Sequence, residues 1–185
     1  ETAFIWTLSK SLTWPTQINI EVAQSVTIAA AAGAVAVVLD AKATNINSRR
    51  HFQVALGGKL SLKDLTLKGG CLLTPSSTTG NGGSVLNAGT LITESIAFQS
   101  NRANKGGAVY SSGDSSVFAL SNTTFSTNQA SSSEYAYGGD LYLPSGKLLL
   151  FGSDSTFQST TSHGAFVPVN IVPLKVHIST WAKPT

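Results

Sequence analysis

The stretch FQSNRANKGGAVY, residues 98–110, carries the pattern that decides the fold. Its Phe is followed three residues later by Asn101, and Gly106-Gly107 then opens a short apolar segment. The same features return further along the chain, which predicts a repeat architecture. The members of the repeat are Phe98, Asn101, Gly106, Gly107, Phe125, Asn128, Gly138, Gly139 and Phe157.

The spacing of this repeat indicates a solenoid. Four segments align on anchors at Leu67, Phe98, Phe125 and Phe157, separated by 31, 27 and 32 residues. Apolar residues alternate over short runs, which is typical of strands with one buried face. A coil of 27–32 residues holds about three short strands and three turns. The sequence predicts an all-β fold, a single-stranded parallel β-helix, and the crossover rule favours the right-handed form.

Three columns of equivalent residues have distinct roles in this prediction. The Phe anchors stack inside the core. The Gly-Gly pairs form tight turns in which a positive φ costs Gly nothing. Three residues before each anchor lies a polar column that marks a turn, where short polar side chains bond to local backbone and to one another. This column is Asp64, Ser95, Asn122 and Asp154.

The repeat also sets the expected domain boundaries. Residues 1–164 are predicted to form the β-helix, with irregular N-terminal coils over 1–50 and regular repeats over 51–164. Residues 165–185 depart from the pattern and contain three prolines, which disfavour a regular central strand. We expect this segment to be a cap or a docking tail.

Composition narrows the classes of partner. Charged residues make up 11% of the chain, and the net charge is +3 with no basic run beyond Arg49-Arg50, so no nucleic-acid partner is expected. The triplet Arg49-Arg50-His51 is interpreted as a solvated turn.

The longest apolar run, residues 26–39, is too short to span a bilayer and is expected to pack in the core. Because the chain begins at Glu1 and has no Met, we expect a processed fragment of a longer chain.

The sequence predicts no enzyme and no cofactor. Asp64 and Asp154 share a column but lie three coils apart, roughly 14 Å at the spacing of adjacent strands, too far for a catalytic carboxylate pair. The three His residues lack the spacing of metal ligands. The single Cys, Cys71, is interpreted as a small buried hydrophobe.

The repeat resembles that of the chlamydial polymorphic outer-membrane proteins (Pmp). That family alternates Gly-Gly-Ala plus an apolar residue, as in residues 106–109, with Phe-x-x-Asn, as in residues 98–101 and 125–128. The resemblance covers about residues 37–160. It implies a right-handed, pectin-lyase-like β-helix at a cell surface, often adhesive and often the passenger of an autotransporter.

Two Ser/Thr-rich insertions are the candidate partner-binding sites. They occupy residues 71–81 and 129–137, where they lengthen the coil spacing, and loops on one face of a solenoid commonly bind partners. Tyr135 and Tyr137 suit glycan stacking or protein contact, or else fold back over the solenoid flank. The candidate residues are Thr74, Ser76, Thr78, Ser132, Glu134, Tyr135 and Tyr137.

These features favour a non-enzymatic β-helical module of a secreted or cell-surface protein that presents loops to a protein or glycan partner. The first alternative is a structural subunit that contacts neighbouring subunits of an extracellular or organellar assembly, since uncapped solenoid ends are unpaired sheet edges. The second is a polysaccharide-binding or polysaccharide-degrading β-helix protein. Asn122-Thr123-Thr124 is a glycosylation sequon whose amide we expect to be occupied by the turn.

Overall fold

The computed structural model describes residues 2–73, 80–131, 136–151, 155–159, 166–168 and 171–173, which contain 21 strands and no helix. All pairings between these strands are parallel, and the strands, numbered in chain order, form three sheets. The first sheet contains, in order, β1 (Thr2–Leu8), β4 (Gln24–Ala30), β7 (Lys59–Lys63), β11 (Thr90–Glu94), β15 (Val117–Ser121), β18 (Lys147–Phe151) and β21 (Ile171–Pro173). The second contains β3 (Ile18–Ile20), β6 (Phe52–Val54), β10 (Val85–Asn87), β14 (Val109–Ser111), β17 (Leu141–Leu143) and β20 (Phe166–Pro168). The third contains β2 (Leu12–Thr13), β5 (Val37–Asp40), β8 (Leu65–Lys68), β12 (Ala97–Gln99), β16 (Thr124–Ala130), β13 (Arg102–Ala103), β9 (Cys71–Leu72) and β19 (Thr156–Ser159), the last paired with β16.

Each coil visits the three sheets in a fixed order. After β7 in the first sheet the chain forms β8 and β9 in the third and β10 in the second, and it returns to the first as β11. The anchors pair across coils as predicted, Leu67 with Phe98, Phe98 with Phe125, and Phe125 with Phe157. The predicted parallel β-helix and its register are therefore confirmed; the crossover rule remains the argument for its hand.

The interior is built from stacked apolar columns. The rings of Phe98 and Phe125 are stacked at 4.9 Å between centroids with an interplanar angle of 16°. The two side chains are 0% and 1% exposed. The predicted Phe stack is confirmed for this pair, and Phe157 continues the same column through its backbone pairing. In the first sheet, Leu60, Leu91 and Phe118 form a second buried column.

A buried amide ladder holds the corner that follows each anchor. Asn101 Oδ1 accepts from the Gly70 N–H at 2.9 Å, and Asn101 Nδ2 donates to Asn128 Oδ1 at 3.0 Å. Asn128 Nδ2 donates in turn to the Phe98 carbonyl at 3.0 Å and to Asp140 Oδ1 at 2.9 Å. Buried backbone groups that the turn leaves without a strand partner are thereby satisfied.

The Gly-Gly turns form as predicted, and the two positions of each pair require glycine for different reasons. The first members, Gly82, Gly106 and Gly138, have φ of 69°, 60° and 60°, which favours glycine. The second members permit close approach, because a Cβ on Gly107 would lie 2.1 Å from the Gly139 carbonyl oxygen.

The polar turn column is confirmed in the part of it that the structure describes. Asp64, Ser95 and Asn122 have φ of 56°, 52° and 44°, a left-handed conformation that short polar residues tolerate. Asn122 Nδ2 donates to Ser95 Oγ at 3.0 Å, so the amide of the sequon is occupied, as expected. Asp154 lies outside the described residues.

The apolar run at 26–39 does not pack in the core as a whole, so that expectation is wrong. It is split between β4 and β5 by an Ala/Gly turn at residues 31–36, in which Val35 is 89% exposed. Burial of an alanine side chain removes little apolar area from water, so the hydropathy of Ala overstates how strongly it favours a core position.

Both ends of the chain continue the three sheets. Strands β1 to β5 belong to the same sheets as the later strands. Within the predicted tail, β20 and β21 are the last described strands of two sheets, and each ends in a proline, Pro168 or Pro173. Proline is tolerated at such edge positions. The predicted divisions at residues 50 and 164, and the role of the tail, stay predictions.

The triplet Arg49-Arg50-His51 is not a solvated turn, so that interpretation is wrong. His51 is fully buried, with Nε2 2.9 Å from the Leu39 carbonyl and Nδ1 3.1 Å from Ser84 Oγ. Burial lowers the His51 pKa to about 4. Arg50 is 5% exposed, and burial lowers its pKa to about 10, which leaves it charged at neutral pH.

Replacing Phe125 with Ala should lower the free energy of unfolding by about 3 to 5 kcal/mol, because it empties a stacked position in the core. Equilibrium urea denaturation followed by circular dichroism measures the change. Ile46→Ala, at a side chain that is 100% exposed, is the control and should change stability by less than about 0.5 kcal/mol. Equal effects of the two variants would contradict the core assignment.

Stability should fall as pH falls between the unfolded and folded pKa values of His51, roughly 6.5 and 4. In this window the unfolded chain binds more protons than the folded chain, so acid favours unfolding, by about 3 kcal/mol in total. Urea denaturation at pH 7.5 and 4.5 measures the loss. His51→Gln, which keeps hydrogen-bonding capacity without titrating, should show a smaller loss, and identical pH dependences would refute this assignment.

Candidate functional site

The outer face of the second sheet carries a column of side chains in register. Gln53, Leu86, Tyr110 and Tyr142 pair in succession on β6, β10, β14 and β17. Their neighbours along each strand are buried, since successive side chains of a strand point to opposite faces. The two tyrosines are therefore directed outward on rigid strands rather than on loops.

Lys105 and Tyr137 form a second column beside the tyrosines. The two residues are joined by a parallel backbone bridge, and Lys105 Nζ lies 5.8 Å from the Tyr137 ring centroid. The Tyr137 ring stacks on Tyr142 at 5.7 Å between centroids, and Tyr142 contacts Tyr110 at 5.5 Å with a 45° tilt. We call these four half-buried residues the tyrosine surface: Lys105, Tyr110, Tyr137 and Tyr142.

Within the tyrosine surface, the phenol of Tyr142 is kept neutral. Partial burial raises the pKa of Tyr142, and the neighbouring Tyr110 and Tyr137 raise it further. The Tyr142 hydroxyl is therefore both a donor and an acceptor at physiological pH. Lys105 adds a cation, whereas Asp140, in the coil of Tyr142, is buried and accepts a hydrogen bond from Asn128. The surface thus presents hydroxyl groups and a positive charge.

The N-terminal end of the same face is polar, and its side chains are joined by hydrogen bonds. Gln17 Nε2 contacts Gln53 Oε1 at 3.2 Å, and Arg50 Nη1 donates to the same oxygen at 3.3 Å. The buried guanidinium of Arg50 thereby fixes the side chain of Gln53 on this face.

Most predicted partner-binding residues lie outside the described residues, namely Thr74, Ser76, Thr78, Ser132, Glu134 and Tyr135. Tyr137 is described, and its position is compatible with both interpretations of the sequence, contact with a partner and covering of the solenoid flank. Its ring covers the solenoid flank by packing on Tyr142, and it stays half exposed. Its contact with a partner stays a prediction.

Sequence reasoning missed Lys105, Tyr110 and Tyr142. The signal was present in the triplets that follow each Gly-Gly pair, SVL, AVY and DLY, whose third residues are Leu86, Tyr110 and Tyr142. Period-two alternation places this third residue on the face opposite the core. Aligning the third position of each triplet would have revealed a pair of outward tyrosines in adjacent coils.

A second candidate is the groove at the corner between the first and third sheets. It has a volume of about 580 Å³, and it is lined by the Ala/Gly turn at 31–36 together with Asp64, Ser95 and Asn122. Asp64 is the only carboxylate among the described residues of its lining, whereas glycoside hydrolysis uses two.

The described part of the chain lacks two further features. It contains no group of three His, Cys, Asp or Glu residues placed to hold a metal ion. It also contains no helix with the length and apolar character needed to cross a membrane. Burial raises the pKa of the Cys71 thiol, which donates to Asn45 Oδ1 at 3.5 Å and is thus not an activated thiolate.

No known family model matches the chain, and neither the curated proteins nor the solved structures provide a match. The fold therefore stands on its strand pairing, and the resemblance to the Pmp repeat stays an expectation drawn from short motifs.

Proposed function

We propose that the chain is a non-catalytic β-helical recognition module of a secreted or cell-surface protein, and that it binds a protein partner through the tyrosine surface. The observation that carries the proposal is the clustering of three tyrosines and Lys105 within two adjacent coils on one flat face. Tyrosine is enriched in protein interfaces because it offers a large apolar area and a polar tip.

The packing of the rings favours a protein over a glycan. A sugar stacks on the free face of an aromatic ring, but the Tyr142 ring packs against two neighbouring rings and Tyr137 packs against Tyr142 and Lys105. The surface thus offers ring edges, hydroxyls and an ammonium group. These groups complement carbonyl and carboxylate oxygens, so the partner is expected to present an acidic, acceptor-rich surface.

The resemblance to the Pmp repeat supports the same direction, since it implies an adhesive passenger on a cell surface. A structural subunit of a larger assembly is the second candidate function. The aromatic side chains of β1 support it, because they are large and exposed, at 42% for Phe4 and 40% for Trp6. The alternative of a polysaccharide-binding or polysaccharide-degrading protein is supported only by the groove at the corner between the first and third sheets.

The test compares binding of the labelled chain to intact epithelial cells by flow cytometry. The double variant Tyr110→Ala/Tyr142→Ala should weaken binding at least tenfold, since interface tyrosines commonly contribute more than about 1 kcal/mol each. Phe151→Ala, at a ring that is 43% exposed on the first sheet, is the matched control and should bind like the parent chain.

Pretreatment of the cells distinguishes the classes of partner. Binding should be lost after trypsin treatment and kept after periodate oxidation of surface sugars. Loss with periodate alone would assign a glycan partner, and unchanged binding by the double variant would place recognition elsewhere on the chain.

A further inference from the structure

A cavity outside the tyrosine surface lies beside the third sheet, where three successive coils meet. Its volume is about 370 Å³, and it is lined by the loop at 43–46, the segment at 69–71, Ser100 and Arg102. The loop follows β5, the segment joins β8 to β9, and Arg102 begins β13, so each of the three coils contributes one wall.

The strand register directs the side chain of Arg102 to this cavity. Arg102 pairs with Cys71 in a parallel ladder, and its neighbour Ala103 is fully buried. Successive side chains of a strand point to opposite faces, so Arg102 and Cys71 both point away from the core. On the other side of Cys71, an antiparallel bridge joins it to Arg49. Two arginines therefore flank Cys71 in neighbouring coils.

The guanidinium of Arg102 is not neutralised within the described part of the chain. Its Nε is buried and has no hydrogen-bond partner there. Ion pairing among the same residues is confined to Lys63 and Glu94, and no Asp or Glu is among the described residues of the lining. Arginine remains charged in proteins, and a buried donor without a partner is unfavourable. An anion in the cavity would supply the missing acceptor.

The charges next to the cavity are mainly positive. Lys42 directly precedes the lining part of the loop, and Lys68 directly precedes the segment at 69–71. Asp40 lies near the same corner, where its Oδ1 accepts from the Lys42 N–H at 2.9 Å and its backbone stands in register with Lys68. With Arg102, three cations thus oppose one carboxylate, and this field attracts anions.

Two side chains of the loop supply further donors. Asn45 Oδ1 accepts from Cys71 Sγ at 3.5 Å, so Nδ2 is the end of this amide that is left to donate. Thr44 Oγ1 accepts from the Asn47 N–H at 3.1 Å, which leaves its own O–H as a donor. The wall opposite Arg102 in sequence is therefore also rich in donors.

This set of donors favours a tetrahedral oxyanion. The planar fork of a guanidinium matches two oxygens of a carboxylate, a sulfate or a phosphate group. A carboxylate has only these two oxygens, and the fork engages both of them. A sulfate or phosphate group keeps further oxygens for the donors of Thr44 and Asn45.

We propose that this cavity binds a sulfate or phosphate group, with Arg102 as the main ligand and Thr44 and Asn45 as additional contacts. The proposal goes beyond the recognition function and does not depend on it, because the cavity and the tyrosine surface share no residue. A free inorganic ion and an ester group on a larger ligand offer the same chemistry, and the experiment distinguishes these two sources.

Isothermal titration calorimetry of the full chain with sodium sulfate and with sodium phosphate, at constant ionic strength, tests the proposal. The parent should bind at least one of the two ions saturably, at one site. Arg102→Gln should weaken this binding at least tenfold, because the charge-assisted fork is lost. Arg102→Lys, which keeps the charge but not the fork, should also weaken it. Lys68→Gln removes the same charge from an exposed side chain outside the lining, and it should change the affinity by less than about threefold.

A second variant places a negative charge in the wall of the cavity. Asn45→Asp keeps the shape of an exposed side chain, so circular dichroism should be unchanged while anion binding is lost. Tighter binding of galactose 6-sulfate than of sulfate would assign an ester group as the ligand, and equal binding would assign the free ion. Absence of saturable binding by the parent, equal affinity for acetate, or equal effects of Arg102→Gln and Lys68→Gln would overturn the proposal.

Discussion

The side-chain amide of Asn128 is the contact on which the buried corner after the Phe column depends. It reaches back one coil to the Phe98 carbonyl and to Asn101, and it reaches forward to Asp140 in the next Gly-Gly turn. The corner that follows the Phe column is thus tied to the corner that opens the second sheet. Asp replaces the usual small residue after this Gly-Gly pair, and its carboxylate oxygen accepts the hydrogen bond that ends this part of the ladder.

Much of the fold was predictable because the constraints that produce it act at fixed sequence distances. Phe98 and Phe125 align because a coil must bring each anchor back over the previous one, and a one-residue slip would turn every side chain to the other face. Burial of Arg50 and His51 was not predictable in this way. The surroundings of His51 include Trp14, whose indole N–H donates to the His51 carbonyl from 37 residues away, a contact that no local pattern encodes.

The candidate site was only partly predictable. Tyr137 stands out in the sequence because it lies in an insertion, whereas Tyr110 and Tyr142 lie on strands whose alternation predicts chiefly which residues are buried. The grouping of these residues arises from stacking between coils, since Tyr142 meets Tyr110 across the ladder and Tyr137 within its own coil. A surface of this kind becomes visible in the sequence only when outward positions of successive coils are compared.

The parallel ladder makes this chain almost one-dimensional, because each coil contacts mainly the coils before and after it. A coil is then held against local opening by its two neighbours, and a coil with complete neighbours on both sides is well protected from hydrogen exchange. The coil that contains Phe98 has complete neighbours on both sides. A ligand that binds the outer faces of several adjacent coils therefore opposes their opening. The number of coils that a bound partner spans along the axis sets how strongly it stabilises the module.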